Sequence, residues 1–312
     1  MKLNGVVVRV PAKVNLQLSV GPLGADGFHE VTTVFQAISL YDDVTVKFGE
    51  PGTGIVLTLS GPTSAGVPVD STNLAYMAAQ LMIDKHDLDS DLSIHIKKEI
   101  PVAGGMAGGS ADAAGVIVAM DSLFELGLSR DGMEKIAAEL GSDVPFSITG
   151  GIAIGRGRGD EITPVLARGS YQWVLAMSAQ GLSTQAVYAE SDRLRTGLDI
   201  ARPQVSDQML QALRAGDAVA LGQALSNDLQ PAACSLRPAL RLALDVGNDY
   251  GALGSIVSGS GPTVAFLVED DERALDLTVA LSASGVVAGV IRAGGPTHGA
   301  RVVETLLSLI HI

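Results

Sequence analysis

Residues 101–114 read PVAGGMAGGSADAA, a run whose four glycines lie between an alternating segment and a long apolar one. Upstream, residues 92–98 alternate strictly. Leu92, Ile94 and Ile96 fall on one face and Ser93, His95 and Lys97 on the other, the period of a half-buried strand. Downstream, residues 110–126 are apolar and long enough for a helix. The unit is strand, glycine loop, helix. A helix's first turn carries unpaired backbone N–H groups and partial positive charge, and glycines let the preceding backbone wrap an anion without a Cβ in the way. Two readings fit: a phosphate cradle, or a glycine-rich connection packed close to its strand. The P-loop pattern is excluded, because it requires Lys then Ser/Thr after the last glycine, and Gly109 is followed by Ser110 and Ala111. A dinucleotide fingerprint is excluded as well. A second cluster, Gly155-Arg-Gly-Arg-Gly159, runs into Asp160-Glu-Ile-Thr-Pro164, which opens no helix, so it reads as a tight turn. Arg156 and Arg158 in that turn either reach a phosphate or are solvated loop arginines, and the second reading is favoured.

Before the loop, residues 6–10 and 14–20 read as two β runs broken at Pro11-Ala12-Lys13. Residues 31–40 and 44–48 read as two more, with Tyr41-Asp42-Asp43 as the turn between them. Residues 55–59 add a short strand, and Leu74, Met77, Ala78, Leu81 and Met82 recur at helical spacing. After the loop, Ser129 suits the cap of a helix ending near Leu140. Beyond about Pro164 the texture changes: a strand at 173–177, helices around 184–194, 204–215, 217–226 and 237–247, a turn at 258–262, a strand at 263–268, a helix at 271–284 and closing strands at 286–292 and 300–303. Strands and helices without βαβ regularity indicate an α+β architecture.

A chain of 312 residues has room for about two domains. Hydrophobic residues make up 47% and charged residues 18%, enough for buried cores and unlike a disordered chain. The formal net charge of −13 disfavours non-specific binding to nucleic acid or to an anionic membrane surface. An anionic small molecule is still admissible, because local donors decide that. The single cysteine, Cys234, has no partner for an intrachain disulfide. His86, His95, His298 and His311 are scattered without metal-ligand spacing, so no protein metal site is assigned. No apolar run of about 18 residues marks a membrane span, and the first residues lack a leader pattern, so a cytoplasmic location is expected. Monomer and dimer are both compatible with these features.

Three separated motifs now line up: Pro11-Ala-Lys-Val-Asn-Leu16, the 101–114 loop, and Gly259-Ser-Gly-Pro-Thr263. Together they resemble the GHMP kinase superfamily, named for galactokinase, homoserine, mevalonate and phosphomevalonate kinases, and the resemblance runs from about Val8 to the end of the chain. Asn15, two residues after Lys13, and Asp26-Gly-Phe-His-Glu30 are similar to one branch of it. That branch phosphorylates the 2-hydroxyl of a cytidine diphosphate-linked methylerythritol, in non-mevalonate isoprenoid synthesis. A mevalonate-type member should carry a Gly-Glu-His-like element where this chain has Gly21-Pro-Leu-Gly. A homoserine-type kinase, a nucleotide-binding protein that has lost its chemistry and a structural α+β protein are the remaining alternatives. Retention of Lys13 together with Asp143 argues against lost chemistry, and a purely structural protein would make three spaced motifs a coincidence.

The resemblance implies a two-domain fold, 1–165 and 166–312, with the active site in the inter-domain cleft. It implies ATP as phosphate donor with Mg²⁺ neutralising the phosphates. Pro101, Val102, Ala103, Gly104, Gly105, Met106, Ala107, Gly108, Gly109, Ser110 and Ala111 match the ATP loop. Lys13 and Asp143 match the catalytic pair; read alone, Lys13 is an edge lysine and Asp143, in Gly-Ser-Asp-Val-Pro, a turn or cap residue. Ser110 would support the metal–phosphate arrangement, while Asp112 reads as a first-turn carboxylate that favours the helix dipole. Phe28 and His29 match the pair that receives the cytosine base, with Phe28 where tyrosine is commonest, and Tyr188 is the expected second stacking face. Asn15 matches a residue near the methylerythritol end.

Overall fold

The computed structural model describes residues 2–102 and 104–308, so Ala103 and His311 lie outside the described residues. The N-terminal segment is one strand, β1 (Lys2–Leu23), where two were expected, and it is followed by a second long strand, β2 (His29–Phe48), where a turn was expected at 41–43. Both discrepancies have one cause. Pro11 pairs with Tyr41, but Ala12 pairs with Ile38, so two residues of β2 have no opposite number. The ladder absorbs Pro11 in this bulge, the usual place for a residue without an N–H. Val6, Val8, Val10, Ala12, Val14 and Leu16 stay on one buried face across it.

The chain continues through β3 (Ile55–Ser60), α1 (Leu74–His86), β4 (Leu92–Lys97), α2 (Gly108–Leu123), α3 (Arg130–Ala138), α4 (Val144–Thr149), β5 (Ile152–Arg156) and β6 (Glu161–Pro164). Asn73 and Ser129 cap α1 and α3 through their side chains, and α3 ends at Ala138, two residues short of the expected Leu140. The second half runs β7 (Tyr171–Met177), α5 (Thr184–Leu194), α6 (Asp207–Ala215), α7 (Ala218–Ala224), β8 (Ser226–Asn227), α8 (Gln230–Leu236), α9 (Ala239–Asp249), β9 (Gly254–Val257), β10 (Val264–Val268), α10 (Asp271–Ser284), β11 (Gly289–Gly295) and β12 (Arg301–Ser308). The short α8 had no counterpart in the sequence reading.

Among the described residues there are two sheets. The first runs β12-β1-β2-β4-β3, with β5 and β6 added beyond the upper part of β2 and β8 beside β1; the second runs β11-β7-β10-β9. The last strand, β12, thus returns to the sheet that the first strand opened. α2 packs across β1 and β2 and is buried over most of its length, which explains its unbroken apolar run. The second sheet uses both faces. Trp173 and Leu175 belong to the large core of the first sheet, whereas Val174, Ala176 and Phe266 pack with Leu240, Leu277 and Leu281 under α9 and α10. Trp173 Nε1 also donates to Gln36 Oε1 at 2.8 Å, tying β7 to β2. Among the described residues, no helix is long and apolar enough to cross a membrane.

Candidate active site

The first motif lies within β1, whose alternate residues point away from the core, and Lys13 and Asn15 lie on that opposite face, next to the bulge. Both are nonetheless buried, Lys13 at 4% exposure, among Thr33, Phe35, Asp143 and Gly259. Asn15 Oδ1 accepts from Lys13 Nζ at 2.5 Å, Asn15 Nδ2 donates to Thr33 Oγ1 at 2.8 Å, and Thr33 Oγ1 donates to the Gln17 carbonyl at 2.8 Å. This chain of bonds fixes the lysine's direction. Its ammonium stands 3.7 Å from Asp143 Oδ2 and 5.4 Å from the centre of the Phe35 ring. Burial lowers the Lys13 pKa from its ordinary value, and the Asp143 charge partly restores it.

Asp143 occupies the N-cap position of α4 but makes no capping hydrogen bond. Its carboxylate, a third exposed, is left available beside Lys13. The structural cap role read for this residue in isolation is therefore not what its side chain does.

The glycine loop faces the same space. Gly104, Gly105, Ala107, Gly108, Gly109 and Ser110 line a cavity of about 500 Å³ together with Lys13, Asn15 and Asp143. The first turn of α2 has no capping side chain, as a phosphate-binding helix start requires. Gly105 has φ +75°, and a Cβ there would lie 2.2 Å from the Ser258 carbonyl. Ser258 Oγ donates to the Gly105 carbonyl at 3.1 Å, so the third motif is built against the second. Gly259 of that motif has φ +58°, and a Cβ there would press on Asn15 Oδ1 at 3.2 Å and Lys13 Nζ at 3.3 Å. Met106 and Ala111 turn their side chains into the core, and Pro101 and Val102 lie outside the cavity lining.

Asp112 departs from its expected role. It sits one turn into α2 and is only 2% exposed, not a solvated first-turn carboxylate. Lys98, equally buried, bonds Asp112 Oδ2 at 2.6 Å and Asp42 Oδ2 at 2.5 Å, and Asp42 Oδ1 accepts from the backbone of Glu99 and Ile100. Burial raises the Asp112 pKa well above its ordinary value, while the Lys98 charge pulls it back in part. The triad holds the start of the glycine loop to α2. Sequence reading missed it because Asp42 looked like a turn residue; a charged residue flanked by strand-forming residues on both sides was the available signal.

A second cavity, about 800 Å³, contains Phe28 and His29 and adjoins the first. Tyr188, on α5, lines both. Its ring lies 5.2 Å from that of His29, and its pKa is pushed up to about 12, mainly by burial and secondarily by the Asp143 charge. His29 Nδ1 is 2.9 Å from the Gly21 carbonyl, which can only accept, so in the neutral ring Nδ1 carries the hydrogen and Nε2 the lone pair. Nε2 has no hydrogen-bond partner, although Asp192 Oδ1 is 3.3 Å away. Phe28 is half exposed. The structure thus gathers Lys13, Asn15 and Asp143 with the loop, and Phe28, His29 and Tyr188 next door. Among the residues not singled out for the site, Thr33, Ser142 and Arg158 join the walls.

Comparison with known proteins bears on this arrangement. The family description "GHMP kinases N terminal domain" matches residues 73–151 and "GHMP kinases C terminal" matches residues 209–287. The chain is 52% identical over 300 residues to the 4-diphosphocytidyl-2-C-methyl-D-erythritol kinase of Mycolicibacterium smegmatis, covering 96% of this chain and 92% of that one. It is 51% identical to the enzyme of the same name from Streptomyces avermitilis, covering 95% and 99%. A crystal structure of a 4-(cytidine 5'-diphospho)-2C-methyl-D-erythritol kinase superposes with TM-score 0.74 at 30% identity, covering 92% and 98%. The mevalonate kinase of L. major matches with TM-score 0.75 at 17% identity, covering 93% and 96%, which shows the shared fold alone. The chain belongs to the GHMP kinases, a family of small-molecule kinases that use ATP, within its 4-diphosphocytidyl-2-C-methyl-D-erythritol kinase branch.

Proposed function

We propose that the protein transfers the γ-phosphoryl group of ATP to the 2-hydroxyl of 4-diphosphocytidyl-2-C-methyl-D-erythritol, giving the 2-phosphate and ADP, in non-mevalonate isoprenoid precursor synthesis. The observation that carries this is the Lys13–Asp143 pair held by Asn15 in one cavity with the uncapped start of α2. The substrate hydroxyl approaches Asp143, which accepts its proton as the hydroxyl oxygen forms its bond to the γ-phosphorus and the bond to ADP breaks. Lys13 stands beside Asp143 and offsets negative charge developing on the phosphoryl oxygens. Phosphoryl transfer rests on positioning and electrostatics, so one base, one cation and a backbone cradle meet its needs.

The backbone of residues 104–110 would hold the phosphates. Mg²⁺, when bound, neutralises phosphate charge, and the Ser110 hydroxyl in the first turn of α2 is the protein group suited to it. Phe28 and Tyr188 offer aromatic faces to the cytosine, and His29 lines the same cavity. Residues 1–165 and 166–312 serve as the working domains, with β12 returning to the first. ATP as donor fits a cytoplasmic location.

The test offers the purified protein Mg·ATP with the cytidine substrate, homoserine and mevalonate and follows ADP release. Turnover with the cytidine substrate is expected; turnover only with homoserine or mevalonate overturns the assignment.

A further inference from the structure

The two cavities meet along a shared wall of five residues: Val31, Ser142, Arg158, Thr184 and Tyr188. On the substrate reading above, the base occupies the cavity of Phe28 and His29 and the reacting hydroxyl the cavity of Lys13 and Asp143. The diphosphate that links them must then cross the shared wall. Of those five residues only Arg158 is charged. The carboxylates lining the second cavity, Glu139, Asp160 and Asp192, would repel a diphosphate. We propose that Arg158 binds the diphosphate of the substrate.

In the free protein the arginine is held elsewhere, and only loosely. Its guanidinium lies 3.7 Å from the centre of the Phe28 ring, and its Nη2 lies 3.4 Å from Asp26 Oδ2. Its side chain is 55% exposed and that of Asp26 60%, so solvent screens the ion pair and little holds it together. A stacked guanidinium on an exposed ring is a similarly modest contact. Phosphate oxygens accept from the guanidinium fork in a bidentate, charge-assisted arrangement, which is the stronger partner. Arg158 therefore exchanges Phe28 for the diphosphate as the substrate enters. The same movement clears the Phe28 ring for the cytosine, so base and guanidinium compete for one aromatic face. The arginine thus both recruits the phosphates and discriminates against ligands that bring a base alone.

Affinities of cytidine, CMP and CDP for the wild type, Arg158→Gln and Arg158→Lys test this, with steady-state kinetics alongside. A charge-assisted contact should make CDP bind about 10- to 100-fold tighter than cytidine in the wild type. Arg158→Gln should erase that advantage while cytidine binds as well as before or more tightly. The KM for the cytidine substrate should rise by about 10- to 100-fold, with kcat and the KM for ATP changing far less. Arg158→Lys should recover part of the loss, because it keeps the charge and loses the fork. An unchanged CDP-to-cytidine ratio in Arg158→Gln overturns the proposal, as does an equal loss of both ligands, which would mean a merely structural role. The affinity ratio is read without turnover, so failure of the wild type to phosphorylate the cytidine substrate counts against the function and not against Arg158.

Discussion

Asp143 shows how a residue's use follows from what its side chain leaves undone. It stands where a helix cap would, caps nothing, and points its carboxylate at a buried lysine. On the proposed mechanism, Asp143→Asn keeps the shape and removes the proton acceptor, so kcat should fall by at least about 100-fold while ATP still binds. Near-normal turnover would remove Asp143 from the mechanism. Lys13 gives a pH-dependent prediction. Its folded pKa lies below the ordinary lysine value because burial disfavours its charge. The folded protein thus releases this proton at a lower pH than the unfolded chain does. Between the lowered value and the ordinary one the unfolded state binds more protons, so this group's contribution to stability rises with pH through that window. Asp143→Asn removes the charge that supports Lys13 and should lower its pKa further. Titration of ¹³C-labelled lysine side chains by NMR reads this directly, and an upward move would contradict the pairing. Phe28→Ala should act on binding, raising the KM for the cytidine substrate with kcat little altered; an unchanged KM would argue against stacking.

The glycine loop functions as an element because both its ends are tied. Gly105 sits under the Ser258 carbonyl at positive φ, where alanine meets both a clash and backbone strain of about 1–3 kcal/mol. Gly105→Ala should therefore raise the KM for ATP by about tenfold or more, measured against an unchanged KM for the cytidine substrate. At the other end, Lys98 holds two buried carboxylates. Lys98→Met leaves them uncompensated and should destabilise the protein by about 3–5 kcal/mol in urea unfolding. Asp112→Asn should behave differently. The raised Asp112 pKa means that the folded protein keeps a proton the unfolded chain releases. Stability is lost as pH rises from the ordinary carboxylate range, near about 3.9, towards the raised value. Asparagine removes that titration, so the unfolding midpoint should change less over this range.

In the molecule as a whole, the candidate site is a cleft assembled from distant parts of the chain. The cleft draws on β1, β2, the start of α2, the start of α4, the turn after β9 and α5, which are spread over most of the chain. Ligands that bind this assembled surface and not the unfolded chain must stabilise it. A non-hydrolysable ATP analogue at about 100 times its Kd should add about 2.7 kcal/mol, visible as a rise of several degrees in Tm. No shift at saturating analogue would mean that the loop holds no nucleotide.

Much of this was legible from local pattern alone. Strict alternation at 92–98, helical spacing at 74–82 and the cap at Ser129 depend on near neighbours, and α5 and α10 have the bounds that their periodicity implied. Three spaced motifs also carried the resemblance to the kinase family, whereas the glycines of the loop alone left a phosphate cradle and a close-packed connection both open. Tertiary structure decided the rest. It decided that Pro11 and Tyr41 are two sides of one bulge, that Asp42 and Asp112 share Lys98 across 56 and 14 residues of chain, and that Arg158 lies over Phe28. Periodicity reports the face a residue takes within its own element. Which distant side chain meets it there is set by how the sheets and helices pack, and that geometry set a carboxylate, a buried lysine and two adjoining cavities beside the glycine loop.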